Sequence, residues 1–368
     1  MTNTRIPAAP KDVGRLSLVL ASAIAATAGQ PNGLSLRPVK SAVVILVDGL
    51  GVHNLEDFAG HAPNLMRAWN MNPKSLRSEC PSTTVLGLVT LATGLRAGSH
   101  GLIGYNVVDK GDSVSTNLLS GWEQTKSNPA DWKTYNTFSE GHDITVVSPA
   151  LYERSGFTKL TMPTARFVGE DNLASRMVRA AGLSKTAGAV IYVYVPELDQ
   201  TGHRFGCASD AWIAQLEALD SAYAKAGFGS STGVIVSADH GMVDIEPTNH
   251  VYLEQLDSLK DSIFITAGDT RCAYIYLRDS SSVETLKHAL SAELGTTAYV
   301  CTWSDLVESG WQETPATDRA IPDLVLLAQD AIAFYDRRTA KPSSMRMIGH
   351  HGSLTDRETR IPLITAGF

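Results

Sequence analysis

Three aspartates, each just past a run of apolar residues, and a set of histidines close to them are the residues that could do chemistry. Asp48 ends the run Ser41-Ala-Val-Val-Ile-Leu-Val, Asp199 and His203 follow Ala189–Val195, and Asp239-His240 follow Gly233–Ser237. A further pair, His350-His351, stands in a loop bracketed by Gly349 and Gly352. Carboxylate and imidazole without thiolate suit two divalent ions, zinc best and manganese or iron next. Two ions about 4 Å apart can clamp the attacking and leaving oxygens of an in-line phosphoryl displacement. A second cluster supplies hydroxyls: Ser82, Thr83 and Thr84 follow Cys80-Pro81 and precede the apolar stretch Val85–Ala92. A hydroxyl at the start of a helix faces its positive end, where a phosphoryl group is favoured. Taken singly, each piece also reads as a strand-end acid capping a loop or a hydroxyl capping a helix.

These residues need strands that bring them to one edge. The apolar runs before Asp48, Asp199 and Asp239 have the continuous character of strands buried on both faces, as in a parallel sheet. The carboxyl ends of parallel strands share one edge, where open α/β sheets place their ligands. The pattern predicts helices within 54–72, from Thr84 to Gly94, and over Asn172–Leu183 and Ala208–Ala226. After His100–Asp109 a polar stretch of loops runs to about 142, and a short strand covers Ile144–Ser148. Cys272–Leu277, Ser282–Leu294 and Ala298–Trp303 form a strand–helix–strand unit with no candidate acid at its strand ends. It reads as a small α+β cap inserted at about 250–320 in a single catalytic domain spanning 1–368. Asp323–Ala328 is the return path to the His350-His351 loop and a last strand, Ile361–Ala366. The fold class is α/β: a central, mostly parallel sheet flanked by helices.

At 368 residues, 43% apolar and 19% charged, the chain can bury a sizeable core without disulfides. Its net charge of −7 argues against a nucleic-acid-coating surface. Cys80, Cys207, Cys272 and Cys301 have no metal or disulfide spacing, which favours reduced thiols and a cytoplasmic setting. Residues 16–28 resemble a secretory apolar segment, which would make the protein secreted. The competing reading is an amphipathic helix with Leu16, Val19, Leu20 and Ile24 on one face, Asp12 interrupting the basic flank. No stretch is long and apolar enough to span a membrane.

Asp48-Gly, Pro81-Ser-Thr-Thr84, Thr93-Gly-Leu, His100-Gly, Asp199-Gln-Thr-Gly-His203, Ala238-Asp-His-Gly-Met and Gly-His-His351-Gly-Ser occur in the order found in the alkaline phosphatase superfamily. From about residue 40 onward the chain most resembles the type I phosphodiesterase / nucleotide pyrophosphatase group, in particular its small bacterial members. The resemblance implies an alkaline-phosphatase-like fold and cleavage of a phosphodiester or nucleotide pyrophosphate bond. It implies one ion held by Asp48, Thr84, Asp239 and His240, and a second held by Asp199, His203 and His351. Thr84, three residues after the proline, is the implied nucleophile, forming a phospho-threonine that water hydrolyses. The implied substrate is a small phosphate ester or nucleotide. Two positions depart from the pattern. Many diesterases of the group continue Phe-Pro-Asn after the nucleophile, where this chain has Val85-Leu86-Gly87. Many also have a phosphoryl-contacting Asn at the position matching Tyr105; here the Asn is Asn106, so either residue could contact substrate.

Other signals are set aside. Gly49-Leu-Gly51 imitates a dinucleotide fingerprint but lacks its third glycine. No Gly-Lys-Ser/Thr element supports a P-loop. Cys80-Pro-Ser lacks the downstream Arg of a sulfatase maturation site. His53, His61, His142, His250 and His288 have no motif context, His350 reads as a neighbour of the ligand His351, and His100 as a loop or supporting residue. Between Ser78 and Leu95 there is no Lys or Arg. Arg96 would lie roughly 18 Å from Thr84 along one helix, which suits a singly charged diester unless Arg271 folds back to supply a cation.

Overall fold

The computed structural model describes residues 5–11, 13–111, 113–122 and 128–368. Asp12 and residues 123–127 of the polar stretch lie outside the described residues. The central sheet has seven strands in the order Lys74–Arg77, Arg360–Ala366, Thr232–Ser237, Ser41–Val47, Val190–Val195, Ile144–Ser148 and Arg166–Gly169. Ser41–Val47 pairs in parallel with both Val190–Val195 and Thr232–Ser237, and Ile144–Ser148 continues the parallel set. The last strand runs antiparallel to its two neighbours. All seven residues of Ser41–Val47 are buried, as a continuous apolar run with helices on both faces requires.

Leu18–Thr27 is a helix built into the core, with Leu16, Val19, Leu20 and Ala23 fully buried. The segment is helical, but it is apolar all round rather than amphipathic: Ile24 is only half-buried, as are Leu18 and Ala21, and no polar face opposes the buried one. Thr84–Thr93 is also a helix, buried along its whole length and closed by Gly94 in the left-handed region. Asn54–Asn72 resolves into the helices Val52–Asp57 and Pro63–Met71.

A second sheet of six strands is antiparallel throughout. Its order is Ala298–Cys301, Leu324–Ala328, Cys272–Leu277, Ile263–Asp269, Asn106–Asp109 and Val114–Asn117. The helix Val283–Leu294 packs on it, Leu290 and Leu294 sharing one buried apolar cluster with Ile275 and Leu326. The sheet draws on more chain than the sequence pattern suggests. Leu324–Ala328 is an inner strand of it, not a return path, and the hairpin 106–117 forms its far edge. The hairpin's strands are four residues each and mix the buried Val107 and Val108 with polar residues, so they leave no long apolar run to recognise.

Candidate active site

The three central strands of the main sheet, side by side, deliver the three aspartates to one edge. Asp48 follows Ser41–Val47 directly. Asp239 follows Thr232–Ser237. Asp199 lies in the first turn of the helix Glu197–Phe205 that leaves Val190–Val195, and His203 lies one turn later on the same face. Gly49, at φ +77°, turns the chain after Asp48, and a Cβ there would lie 3.2 Å from the Asp199 backbone. Gly87 does similar work on the other side. A Cβ at that position would meet the Asp239 Cβ at 2.5 Å, so its absence lets the first turn of the Thr84 helix lie against Asp239. Loops close the site. Ser78 donates to the Asp239 carbonyl, Ser82 donates to the Ser353 carbonyl, and the Gly352 amide donates back to Ser82.

The side chains converge. Thr84 Oγ1 lies 3.2 Å from His240 Nε2, which is 3.3 Å from Asp48 Oδ1 and 3.6 Å from Asp239 Oδ2. Asp199 Oδ1 lies 3.3 Å from His203 Nε2 and 3.6 Å from His351 Nε2, and those two nitrogens are 3.3 Å apart. The His240 and His351 rings stack at 3.6 Å and link the two groups. Two sets of three buried ligand-type residues result: Asp48, Asp239 and His240, and Asp199, His240 and His351.

The hydrogen bonds around these groups show which atoms face inward. Each histidine turns Nδ1 to a backbone carbonyl: His203 to Gly349 at 2.8 Å, His351 to Ser82 at 2.9 Å, His240 to Gly241 at 3.3 Å. A donor at Nδ1 leaves a lone pair at Nε2, assigned here from the bonding pattern. Two of the aspartates are held in the same way, by one oxygen. Tyr194 donates to Asp48 Oδ2, while the amides of Gly49 and His240 donate to Asp239 Oδ1. The oxygens Asp48 Oδ1, Asp239 Oδ2 and Asp199 Oδ1 are buried without a hydrogen-bond partner. Six lone-pair donors thus point at one another across short gaps, an arrangement that is costly unless cations lie between them. The residues present fit a pair of divalent ions.

The electrostatics agree. Burial, with Asp239 and Asp199 close by, holds the Asp48 carboxyl well above its ordinary range, and burial pushes Asp239 up to about 7. Asp199 is raised, also by burial. Burial lowers His240 to about 4 and His351 well below its usual value, so both rings are neutral near pH 7.

One acid went unrecognised in the sequence. Asp269 ends the strand Ile263–Asp269 and lies within electrostatic reach of His203 and Asp199; burial raises it to about 6. The second sheet therefore brings an acid to the site, from a strand outside the strand–helix–strand unit that the sequence pattern marks. Its strand alternates in burial and carries Thr266, so nothing marked it as apolar. Tyr194 was missed for the opposite reason, since it sits inside an apolar run that reads as core.

Tyr105 lies within reach of Asp269 and Asp199 and bonds to Asn117. Asn106 enters the second sheet, paired with Asn117 and Gly268. His350 turns away, to Thr270 and the Met347 carbonyl. His100 is a fully buried core residue, bonded to Thr90 and to the Leu102 amide. His53 and His61 pair with Asp356 and Glu217 at the surface. Arg271 does not reach the site. Its fork holds Glu358 at 2.9 and 3.2 Å and also donates to the carbonyls of Asp330 and Ile332.

Residues 42–354 match the type I phosphodiesterase / nucleotide pyrophosphatase family, and the chain belongs to that family. Among individual proteins it is 25% identical over 236 residues to ectonucleotide pyrophosphatase/phosphodiesterase family member 3 of Rattus norvegicus, covering 58% of this chain and 26% of that protein. It is 24% identical over 241 residues to venom phosphodiesterase 2 of Crotalus adamanteus, covering 58% and 28%. The chain thus spans about a quarter of the length of the curated relatives it matches. Among solved structures, murine ectonucleotide pyrophosphatase / phosphodiesterase 5 superposes with a TM-score of 0.67 at 16% identity, over 88% of this chain and 87% of that one. An inactive variant of that murine protein in complex with AMP superposes equally well. The shared architecture is the alkaline-phosphatase-like α/β fold.

Proposed function

We propose that this protein is a two-ion hydrolase of phosphodiester or phosphoanhydride bonds, acting through Thr84. The observation that carries the reading is the inward set of lone pairs around a helix-start hydroxyl. Asp48, Asp239 and His240, with Thr84, would hold one ion; Asp199, His203 and His351 would hold the other, with His240 between the sets. When bound, two such ions, zinc on the chemistry of the donors and manganese or iron next, neutralise phosphoryl oxygens and acidify a hydroxyl.

The chain's own residues set the geometry. Thr84 stands at the first position of its helix, so its Oγ and the free amides of that turn face the phosphoryl group together. In the first step Thr84 Oγ bonds to phosphorus while the P–O bond to the leaving alcohol breaks. The threonine proton passes to solvent, and the leaving oxygen takes one. Water then cleaves the Thr84–phosphorus bond and restores the hydroxyl. Tyr105, beside Asp199 and Asp269, is placed to donate to a phosphoryl oxygen; Asn106 is the alternative donor. Asp269, within electrostatic reach of His203 and Asp199, adds a further acid near the site, which disfavours a dianionic monoester.

The substrate class is a small phosphate ester or nucleotide. The printed names of the relatives, and the AMP bound by the murine neighbour, support a nucleotide-derived diester. The buried free cysteines suit a cytoplasmic setting, whereas the relatives' names, ecto- and venom, support export. Among the described residues no helix is long and apolar enough to cross a membrane.

The test compares kcat/KM for bis(p-nitrophenyl) phosphate and p-nitrophenyl phosphate on zinc-loaded protein at one pH. A higher value for the diester is expected. Preference for the monoester would reject diester specificity, and no turnover of either would leave a metal-binding relative without catalysis.

A further inference from the structure

The chain that enters the Thr84 helix lies beside the chain that leaves it, and one side chain ties the two together. Gln312, in the loop that follows the helix Trp303–Glu308, is 2% exposed. It donates from Nε2 to the Cys80 carbonyl and accepts at Oε1 from the Gly98 amide at 3.0 Å. The two partners fix the orientation of its amide, because the nitrogen donates and the oxygen accepts. Cys80 stands four residues before Thr84. Gly98 lies in the first turn of the short helix Ala97–His100, where backbone amides have no partner within the helix. Neighbouring contacts build the same junction. Arg96 donates to the carbonyls of Gly310 and Trp311, and Ser99 donates to Glu313. A Cβ at Gly98 would lie 2.4 Å from the Glu313 carbonyl oxygen. Glu79, next to Cys80, faces Arg96 at 3.6 Å, with neither carboxylate oxygen hydrogen-bonded. Gln312 is itself held in place: its backbone amide donates to the Leu306 carbonyl at 3.0 Å, and the indole of Trp311 donates to the Pro7 carbonyl at 2.8 Å.

We infer that Gln312 is a positioning residue for the nucleophile: it fixes the Cys80–Thr84 stretch, and with it the place of the Thr84 hydroxyl. The inference rests on Thr84 as the attacking group and names what holds that group still. Two features carry it. The residues on either side of Cys80 are tied to the ligand loops: Ser78 to the Asp239 carbonyl, and Ser82 to the Ser353 carbonyl and, through its own carbonyl, to His351 Nδ1. The Cys80 carbonyl, between them, goes to Gln312 instead. The stretch is therefore held from two directions, and losing one of them leaves it free to shift. The second feature is burial. Cys80 and Gly98 are both buried, so without Gln312 a carbonyl and an amide would be left unpaired away from water. Such groups regain partners by moving the backbone that carries them, because leaving them unmade is costly. A shift at Cys80 reaches Thr84 along the chain and reaches His351 through Ser82.

The experiment compares Gln312→Met, which keeps the side chain's length and loses both bonds, with Ser99→Ala. The latter removes a bond of the same junction that does not touch the Cys80–Thr84 stretch. Zinc-loaded proteins are assayed with bis(p-nitrophenyl) phosphate well below the melting temperature of each, and zinc affinity is read by competition with a chromogenic chelator. Gln312→Met should lower kcat by about 10- to 100-fold, the scale of a nucleophile misplaced by about 1 Å, with KM within about twofold. Through Ser82 and His351 it should also weaken zinc binding by about tenfold. Ser99→Ala should keep kcat near wild type even where its melting temperature falls. If Gln312→Met does not fold, Gln312→Glu replaces it; this variant keeps the acceptor for Gly98, loses the donor to Cys80 once ionised, and should show the same fall in kcat. A folded Gln312 variant with kcat within about twofold of wild type would overturn the inference. An equal loss of kcat in Ser99→Ala would do so as well, since the junction would then act as a whole and not through Gln312. A wild type that turns over no diester would reject the Thr84 reading, and zinc affinity alone would then judge Gln312: no weakening in Gln312→Met would overturn its positioning role.

Discussion

Replacing Arg271 by Met is expected to destabilise the protein by about 3–5 kcal/mol, the usual cost of removing one partner from a buried ion pair. The structure sets that scale. Arg271 is 1% exposed and Glu358 0%, so solvent screens neither. The two nitrogens that hold Glu358 at 2.9 and 3.2 Å would vanish, leaving a buried carboxylate bonded only to the Ser353 amide and the Thr355 hydroxyl. The carbonyls of Asp330 and Ile332 would lose their donor as well. Against a typical net stability of about 5–15 kcal/mol this is a large share. The assay is urea unfolding followed by circular dichroism on chelated protein, so that metal binding does not contribute. Arg271→Met combined with Glu358→Gln should recover much of the loss, because the neutral amide needs no counter-charge. A single variant within about 1 kcal/mol of wild type, or a double variant no more stable than Arg271→Met, would refute the reasoning.

Thr84→Ala should abolish most turnover with the fold retained, while Thr83→Ala should stay near wild type, since the buried Thr83 hydroxyl has no hydrogen-bond partner to lose; steady-state rates and a thermal melt of both variants check the register. Gly87→Ala should cost about 1–3 kcal/mol and reduce kcat/KM further, because its methyl would press on Asp239, 2.5 Å away; a melt and a diester assay that both match wild type would count against this packing. Zinc should raise Tm more at pH 8 than at pH 5.5. Folded Asp239 titrates near 7, above its ordinary 3.8, so metal-free stability falls as pH rises through that interval. At low pH the ion must displace the proton, and at pH 8 it relieves an ionised, buried carboxylate. An equal or larger gain at pH 5.5 would contradict the assignment.

Much of the main sheet was legible because a strand buried on both faces must be apolar throughout, and Ser41–Val47, Val190–Val195 and Thr232–Ser237 are. Once they lie parallel, Asp48, Asp199 and Asp239 must meet. The second sheet was read only in part. Cys272–Leu277 is fully buried and announces itself, but Ile263–Asp269 alternates in burial and the strands of the hairpin 106–117 are only four residues each. Asp269 was missed with its strand. Tyr194 was illegible for another reason: it stands inside an apolar strand, and only its hydroxyl's bond to Asp48 distinguishes it from core.

Charge placement joins these observations. The sequence offered two arginines that could have answered a dianionic phosphate, and the structure commits both elsewhere. Arg96 lies 3.6 Å from the buried Glu79 and donates to the carbonyls of Gly310 and Trp311. Arg271 is locked on Glu358, which in turn holds the Ser353 amide, two residues from His351. Their work is to brace the loops before Thr84 and after His351. Around the phosphoryl position the chain therefore contributes acids and neutral imidazoles, and positive charge would come from bound ions. A monoester dianion adds one more negative charge to that balance than a diester does, with Asp269 already within electrostatic reach of Asp199. On the proposed reading that balance selects a phosphorus carrying one negative charge, as a diester's does.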